Sequence, residues 1–237
     1  KQLVIRDYEY NNIEIEGNFK DQIFSGFLAV QDENISFDFD GNIDLSKDIP
    51  ELNFISNIEN AKLAKLNIVN SKKKLKTRFS TQLKVNLLGN NIDDLEGEVE
   101  FVNSRYHDKL DSIKVDKVLI SSHFYDQNRD ISIKSDVLDA NLEGEFSFKE
   151  IFHYVDHFFL PYIPSQINHE HKVADLAHDI NLNIELHNSA LISKLLLNGI
   201  KMSENTVVTG KYTASNQNLV INGMSPFIDL YGTLFFS

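Results

Sequence analysis

Glycine recurs inside alternating apolar stretches of this chain, and that placement constrains the fold more than any other feature. The pattern apolar-x-Gly-x-apolar occurs seven times: Ile15-Glu-Gly17-Asn-Phe19, Phe24-Ser-Gly26-Phe-Leu28, Phe39-Asp-Gly41-Asn-Ile43, Leu95-Glu-Gly97-Glu-Val99, Leu142-Glu-Gly144-Glu-Phe146, Val208-Thr-Gly210-Lys-Tyr212 and Leu230-Tyr-Gly232-Thr-Leu234. Around these sites apolar and polar residues alternate in steps of two. Ile35, Phe37, Phe39, Ile43 and Leu45 share one phase, and Ser36, Asp38, Asp40, Asn42 and Asp44 the other. The split recurs at Phe79, Leu83, Val85 and Leu87 and again at Ile180, Leu182, Ile184 and Leu186. A period of two sends each set to one face of a strand, so the chain reads as a sheet with one apolar and one wet face. One-sided burial favours antiparallel pairing. Strands are expected at roughly 2–9, 12–20, 23–31, 34–45, 52–58, 62–70, 76–88, 94–103, 111–122, 129–136, 138–148, 179–188, 205–214, 217–223 and 227–236.

Glycine within a strand costs stability and marks a bend, a bulge or a close approach of two backbones. Repeated strand after strand, it implies a long sheet curving along a common line toward its apolar side, an open apolar trough. A β-sandwich is the alternative, its glycines making room for Phe side chains across the core.

Two stretches break the period. From Lys149 to Leu160 the apolar residues Ile151, Phe152, Val155, Phe158 and Phe159 follow helical spacing until Pro161 and Pro164 stop it. One amphipathic helix over 149–160, capping the open end of the sheet, is therefore expected. Ala190 to Leu197 is apolar and fits helix or strand. The chain divides into β repeats over 1–148, helix and polar loop over 149–178, and continuing β strands over 179–237. Together these read as one continuous domain of a larger protein, as the absence of an initiating Met also suggests.

Charge removes one function class. With 23 Lys and Arg against 35 Asp and Glu, the net charge of −12 disfavours nucleic acid, whose phosphates need clustered cations. No apolar run approaches the ~18 residues of a membrane-spanning helix, and no signal peptide is expected. The chain has no Cys, so disulfides, thiolate zinc sites and thiol catalysis are excluded together.

No catalytic constellation stands out. His153 and His157 are four apart, beside His169-Glu-His171, but no His-Glu-x-x-His occurs and no third ligand is fixed by spacing. The pairs Asp38 with Asp40 and Asp93 with Asp94 resemble glycosidase carboxylates, yet the first pair repeats along the wet face of one strand. His178-Asp179 precedes a strand rather than lying on a long helix. The run Lys72-Lys73-Lys74-Leu75-Lys76 fits a solvated hairpin tip. The expectation is no enzyme, no metal and no cofactor.

The order of Ile13 to Phe19, then Phe37-Asp-Phe-Asp-Gly41-Asn-Ile-Asp-Leu45, then Asn91-Ile-Asp-Asp-Leu-Glu-Gly97-Glu-Val-Glu-Phe101 resembles the repetitive β region of TamB-type proteins of the AsmA superfamily. So does Ser135-Asp-Val-Leu-Asp-Ala140-Asn-Leu-Glu-Gly144-Glu-Phe146, followed by the segment ending at Pro161 and Pro164. The heavy use of Asn, Ile and Lys is similar to the versions found in Bacteroidota. The resemblance implies an internal segment, without the family's N-terminal membrane anchor or C-terminal domain. It implies an antiparallel sheet folded lengthwise into a β-taco, and a periplasmic location with anchoring to the inner membrane through parts absent here. It also implies a part in outer-membrane maintenance: phospholipid movement between the membranes, or outer-membrane protein assembly with a barrel protein of the Omp85 type.

A dozen stacked strands at ~4.8 Å would make a trough about 60 Å long. Each CH₂ kept from water is worth ~0.8 kcal/mol, so acyl chains need such shielding in transit. The expected groove-lining residues are Ile15, Phe19, Phe37, Phe39, Ile43, Leu95, Val99, Phe101, Leu142, Phe146, Leu230 and Leu234. A rival reading is a scaffold for outer-membrane protein assembly and secretion, whose exposed sheet edge receives a strand by β-augmentation. A sugar-binding sandwich ranks below both, because most Phe lie on the dry phase and Trp is absent.

Overall fold

The computed structural model describes residues 3–68, 77–107, 112–148, 179–189, 191, 200–230 and 232–236. The expected helix over 149–160 and the histidines His153, His157, His169, His171 and His178 lie outside the described residues, as does all but Leu191 of 190–197.

The strands are β1 (Leu3–Ile5), β2 (Tyr8–Tyr10), β3 (Ile13–Lys20), β4 (Ile23–Asp32), β5 (Ile35–Asp44), β6 (Glu51–Ala61), β7 (Arg78–Leu88), β8 (Glu96–His107), β9 (Ser112–Tyr125), β10 (Asn128–Ser135), β11 (Leu138–Gly144), β12 (Ile180–Leu186), β13 (Ile200–Met202), β14 (Val207–Thr213), β15 (Asn218–Met224), β16 (Phe227–Leu230) and β17 (Thr233–Phe236). Twelve of them form one long antiparallel sheet, in the order β15-β14-β12-β11-β10-β9-β8-β7-β6-β5-β4-β3. The sheet is not closed, and β3 and β15 are its edges. β1 pairs with β2 alone, and β13, β16 and β17 form a three-stranded sheet.

The chain falls into two units. The first comprises Lys1–Asn90, Leu95–Ser121 and Lys134–Asp136, the second Asn91–Asp94, Ser122–Ile133 and Val137–Ser237. In the first, Gly17, Gly26 and Gly41 stand opposite one another on β3, β4 and β5. A Cβ at Gly26 would lie 2.3 Å from the Glu16 carbonyl oxygen, and one at Gly41 2.4 Å from that of Asn53. Both residues also hold φ of +154°. The strands cross here closer than any side chain permits, which is why glycine occupies the row.

That row spans three strands rather than the whole sheet. Gly97 lies opposite Leu87, in register with Leu52 and Ile43, one side-chain step away. In the second unit Gly144 faces Ile180 and Gly210 faces Leu182, each glycine admitting a large neighbour. Gly232 does not lie within a strand. It sits in the turn between β16 and β17 with φ of +90°, so the expected strand 227–236 is a hairpin. The expected strand 2–9 also folds back, at Arg6 and Asp7, whose φ values of 52° and 60° suit a tight turn.

The expected strand at 62–70 is not formed over its described part. Residues 62–68 turn instead, with the N–H groups of Lys65 and Leu66 donating to the Lys62 carbonyl at 2.8 and 3.1 Å. Leu66 is fully buried there. A turn that buries one leucine among apolar neighbours carries a sequence that reads as a strand.

Simple alternation fails at two bulges. The β6–β7 register shifts between Ile58 and Ala61, and the β7–β8 register between Ser80 and Gln82. Asn60 and Asn103 take left-handed φ values of 52° and 53° at these places. Each inserted residue reverses the phase beyond it, so Phe101 is followed on the apolar face by Ser104 and Tyr106 rather than Asn103 and Arg105.

Gly26→Ala lowers stability by about 1–3 kcal/mol through backbone overlap, read as a lower urea midpoint at unchanged slope. Gly223→Ala, whose Cβ would meet nothing within 4 Å, leaves the midpoint unchanged or slightly raised.

Candidate apolar groove

In the first unit the registers of β3 to β8 align apolar residues in rows that cross all six strands. One row runs Ile15, Leu28, Phe39, Ser56, Leu83, Phe101. The next is Gly17, Gly26, Gly41, Phe54, Val85, Val99, and a third is Phe19, Phe24, Ile43, Leu52, Leu87, Gly97. A fourth passes through Ile13, Val30, Phe37, Ile58 and Thr81. Steps of ~6.8 Å along a strand and ~4.8 Å between strands make this face about 20 by 24 Å. One leaflet's acyl layer is ~15 Å deep, half of a bilayer's ~30 Å hydrocarbon core.

Seven of the expected lining residues therefore share one face: Ile15, Phe19, Phe37, Phe39, Ile43, Val99 and Phe101. Ile15 and Phe19, on edge strand β3, are 53% and 71% exposed. Phe37, Ile43, Val99 and Phe101 are half-buried. Phe39 is a packing residue at 6% exposure, its ring 5.8 Å from Phe24 and 4.7 Å from Phe54. Leu95 precedes β8 and stands outside the rows. The strands β3 to β8 each contact their ladder neighbours within this set.

The remaining candidates belong to the second unit. Leu142 and Phe146 pack on buried Ile180 and Tyr212. Leu230 lies on β16 and Leu234 on β17, in the three-stranded sheet rather than the long one, and Leu234 is 56% exposed.

Sequence reasoning missed Leu52, Phe54, Leu83, Val85 and Leu87, which belong to none of the seven apolar-x-Gly-x-apolar motifs although their alternation marks them. It also missed two hydroxyls set into the rows. Ser56 is fully buried and its Oγ donates to the Asp38 carbonyl at 2.6 Å; Thr81 is buried with its Oγ1 2.9 Å from Ser104 Oγ. Both are satisfied locally and bring little unpaired polarity to the face.

The opposite face is knit by polar ladders. Gln82 Nε2 donates to Asn57 Oδ1 at 3.0 Å, and Asn57 Nδ2 donates to Asp38 Oδ1 at 2.9 Å. Glu100 bridges Lys117 at 2.5 Å and Lys84 at 2.8 Å. Hydrogen bonds from Lys117 and then Lys84 hold the Glu100 carboxyl down at about 2. These contacts employ Asp38 structurally.

In the second unit Arg129 is 2% exposed. Its Nε donates to Ser122 Oγ at 3.0 Å, and its terminal nitrogens donate to the carbonyls of Asp93 and Ile92 at 3.3 and 3.1 Å. The guanidinium lies against the rings of Phe148 and Phe124, at 4.7 and 5.1 Å from their centroids. Burial lowers its pKa, with Asp93 and Asp94 acting in the opposite direction. The Asp93 carboxylate accepts the Phe148 N–H at 2.6 Å. Asp93 thus serves the fold, and no group of three or more His, Asp or Glu among the described residues is arranged to hold a metal.

Compared with family models, curated proteins and solved structures, the chain matches none.

Arg129→Ala strips the Ile92 and Asp93 carbonyls of their donor and costs about 2–3 kcal/mol, measured by urea unfolding, with faster amide exchange over 91–94. Glu100 adds its ion-pair stability in full above its ordinary pKa near 4.5, and loses it as pH falls toward 2. Lys117→Met raises the Glu100 midpoint, followed by carboxyl-carbon NMR.

Proposed function

We propose that this chain is a non-enzymatic, periplasmic segment of a bridge-like lipid-transfer protein of the TamB type. It carries phospholipid acyl chains along its apolar sheet face between inner and outer membrane, and parts of the protein beyond this chain attach it to the inner membrane. The observation that carries the reading is the set of apolar rows across β3 to β8, open at Ile15 and Phe19, half-buried at Phe37, Ile43, Val99 and Phe101, and buried at Val30, Phe39 and Val85. An apolar face of this size left to water is unfavourable at ~25 cal/mol per Å², and acyl chains satisfy it without polar recognition. The Gly17, Gly26, Gly41 row supports curvature into a trough, where neighbouring positions bind a chain almost equally and sliding meets a small barrier.

A second reading, a scaffold that receives outer-membrane protein strands by β-augmentation alongside a barrel partner of the Omp85 type, is favoured by one feature. Edge strand β15 carries neither Lys nor Pro to block pairing, and Val220, Ile221 and Met224 on it are exposed.

Native mass spectrometry with lipid extraction tests the first reading. Phe39→Asp is a poor probe, because the side chain is buried between two rings. Phe101→Asp and the exposed Ile15→Asp are better, with circular dichroism to verify folding. The expected result is co-purified phospholipid in the parent chain and its loss in both variants. A folded parent chain that carries no lipid and binds no fluorescent fatty acid overturns the reading and favours the scaffold.

A further inference from the structure

We propose that the polar face of the first unit holds a phosphate-binding hollow beside the bulges of β6 and β8. The hollow measures about 420 Å³, and its lining includes Glu59, Asn60, Ser80, Asn103, Arg105 and His107. It lies on the wet face, so it does not depend on the acyl-groove reading.

Its origin is the pair of inserted residues. Asn60 on β6 and Asn103 on β8 flank β7 near Ser80, both in left-handed conformations that cost free energy in a residue other than glycine. Bulges of this kind deepen twist and re-aim side chains. Arg105 lies opposite Ser80 and His107 opposite Arg78, so three basic residues share one corner of the polar face.

That clustering runs against the chain's −12 charge. Among the described residues Arg78, Arg105 and His107 form no ion pair with a carboxylate. Ser80 Oγ accepts the Asn60 N–H at 2.9 Å, which leaves its own proton to donate. The guanidinium fork, the imidazole, the Ser80 hydroxyl and the side-chain amides of Asn60 and Asn103 offer more donors than a carboxylate's two oxygens take up. A phosphoryl group, with three non-bridging oxygens and a match to the Arg fork, fits the set. The phosphate monoester belongs either to a soluble ester or to a lipid headgroup of the phosphatidic-acid kind.

The test is an amide NMR titration of the 237-residue chain with inorganic phosphate and glycerol phosphate, at chloride-matched ionic strength. Saturable shifts at Ser80, Asn103 and Arg105 are expected, with affinity falling about tenfold or more in Arg105→Ala and partly recovered in Arg105→Lys. Both variants change an exposed side chain, and thermal unfolding verifies that they fold. Sedimentation with vesicles containing phosphatidic acid, against phosphatidylcholine vesicles, separates the sources. Binding released by Arg105→Ala assigns a lipid headgroup, and its absence beside saturable phosphate binding assigns a soluble ester. Shifts equal to those of chloride alone, or an affinity unchanged in Arg105→Ala, overturn the proposal. Phe101→Asp leaves phosphate binding intact, so failure of the groove reading is read separately.

Discussion

Strand register is the constraint on which the rest of the structure depends. In a ladder with a side-chain period of two, slipping one strand by one residue exchanges its apolar and polar faces. The approach of Gly17, Gly26 and Gly41 helps pin the register of β3 to β5, because shifting β4 by one residue would place Ser25 or Phe27 where Gly26 now sits against the Glu16 backbone. Tilted ring contacts of Phe39 with Phe24 and Phe54 then tighten the same alignment from the apolar side. The rows across six strands follow from that alignment.

The two faces are stabilised by different physics. The apolar face gains from the side chains of neighbouring strands, which bury Phe39 and Val85, while Ile15 and Phe19 at the β3 edge stay open with free energy left to gain from a further apolar occupant. The wet face is held by directional contacts: the Asp38, Asn57 and Gln82 ladder, and Glu100 between two lysines. Being exposed, the lysine pairs give alignment more than stability. The bulges at Asn60 and Asn103 interrupt both faces, and where they do the wet face becomes concave.

Much of the fold was legible because a one-sided sheet writes its period into the sequence. Phe37, Phe39 and Ile43 could be assigned to one face from β5 alone, and the close approach at Gly26 and Gly41 followed from glycine's placement among apolar neighbours. Where local signals imitate one another, reading failed. Ala64, Leu66 and Ile68 alternate as a strand would, yet 62–68 is a turn. Leu230 and Leu234 flank a glycine as Ile15 and Phe19 do, but Gly232 closes a hairpin in a separate sheet. The apolar-x-Gly-x-apolar motif does not distinguish a crossing from a turn, since glycine serves both for want of a Cβ.

The sequence by itself determined that this is a mainly β chain with one apolar and one acidic, wet face, because alternation is a local property of each strand. Tertiary structure alone decided which strands are neighbours, that β3 and β15 end the sheet, and which apolar side chains share a row. It alone placed Arg129 between Phe124 and Phe148, and brought Arg105 opposite Ser80 beside two bulges. Those outcomes depend on register between residues tens of positions apart, and pairing across such distances is set by the summed fit of whole strands.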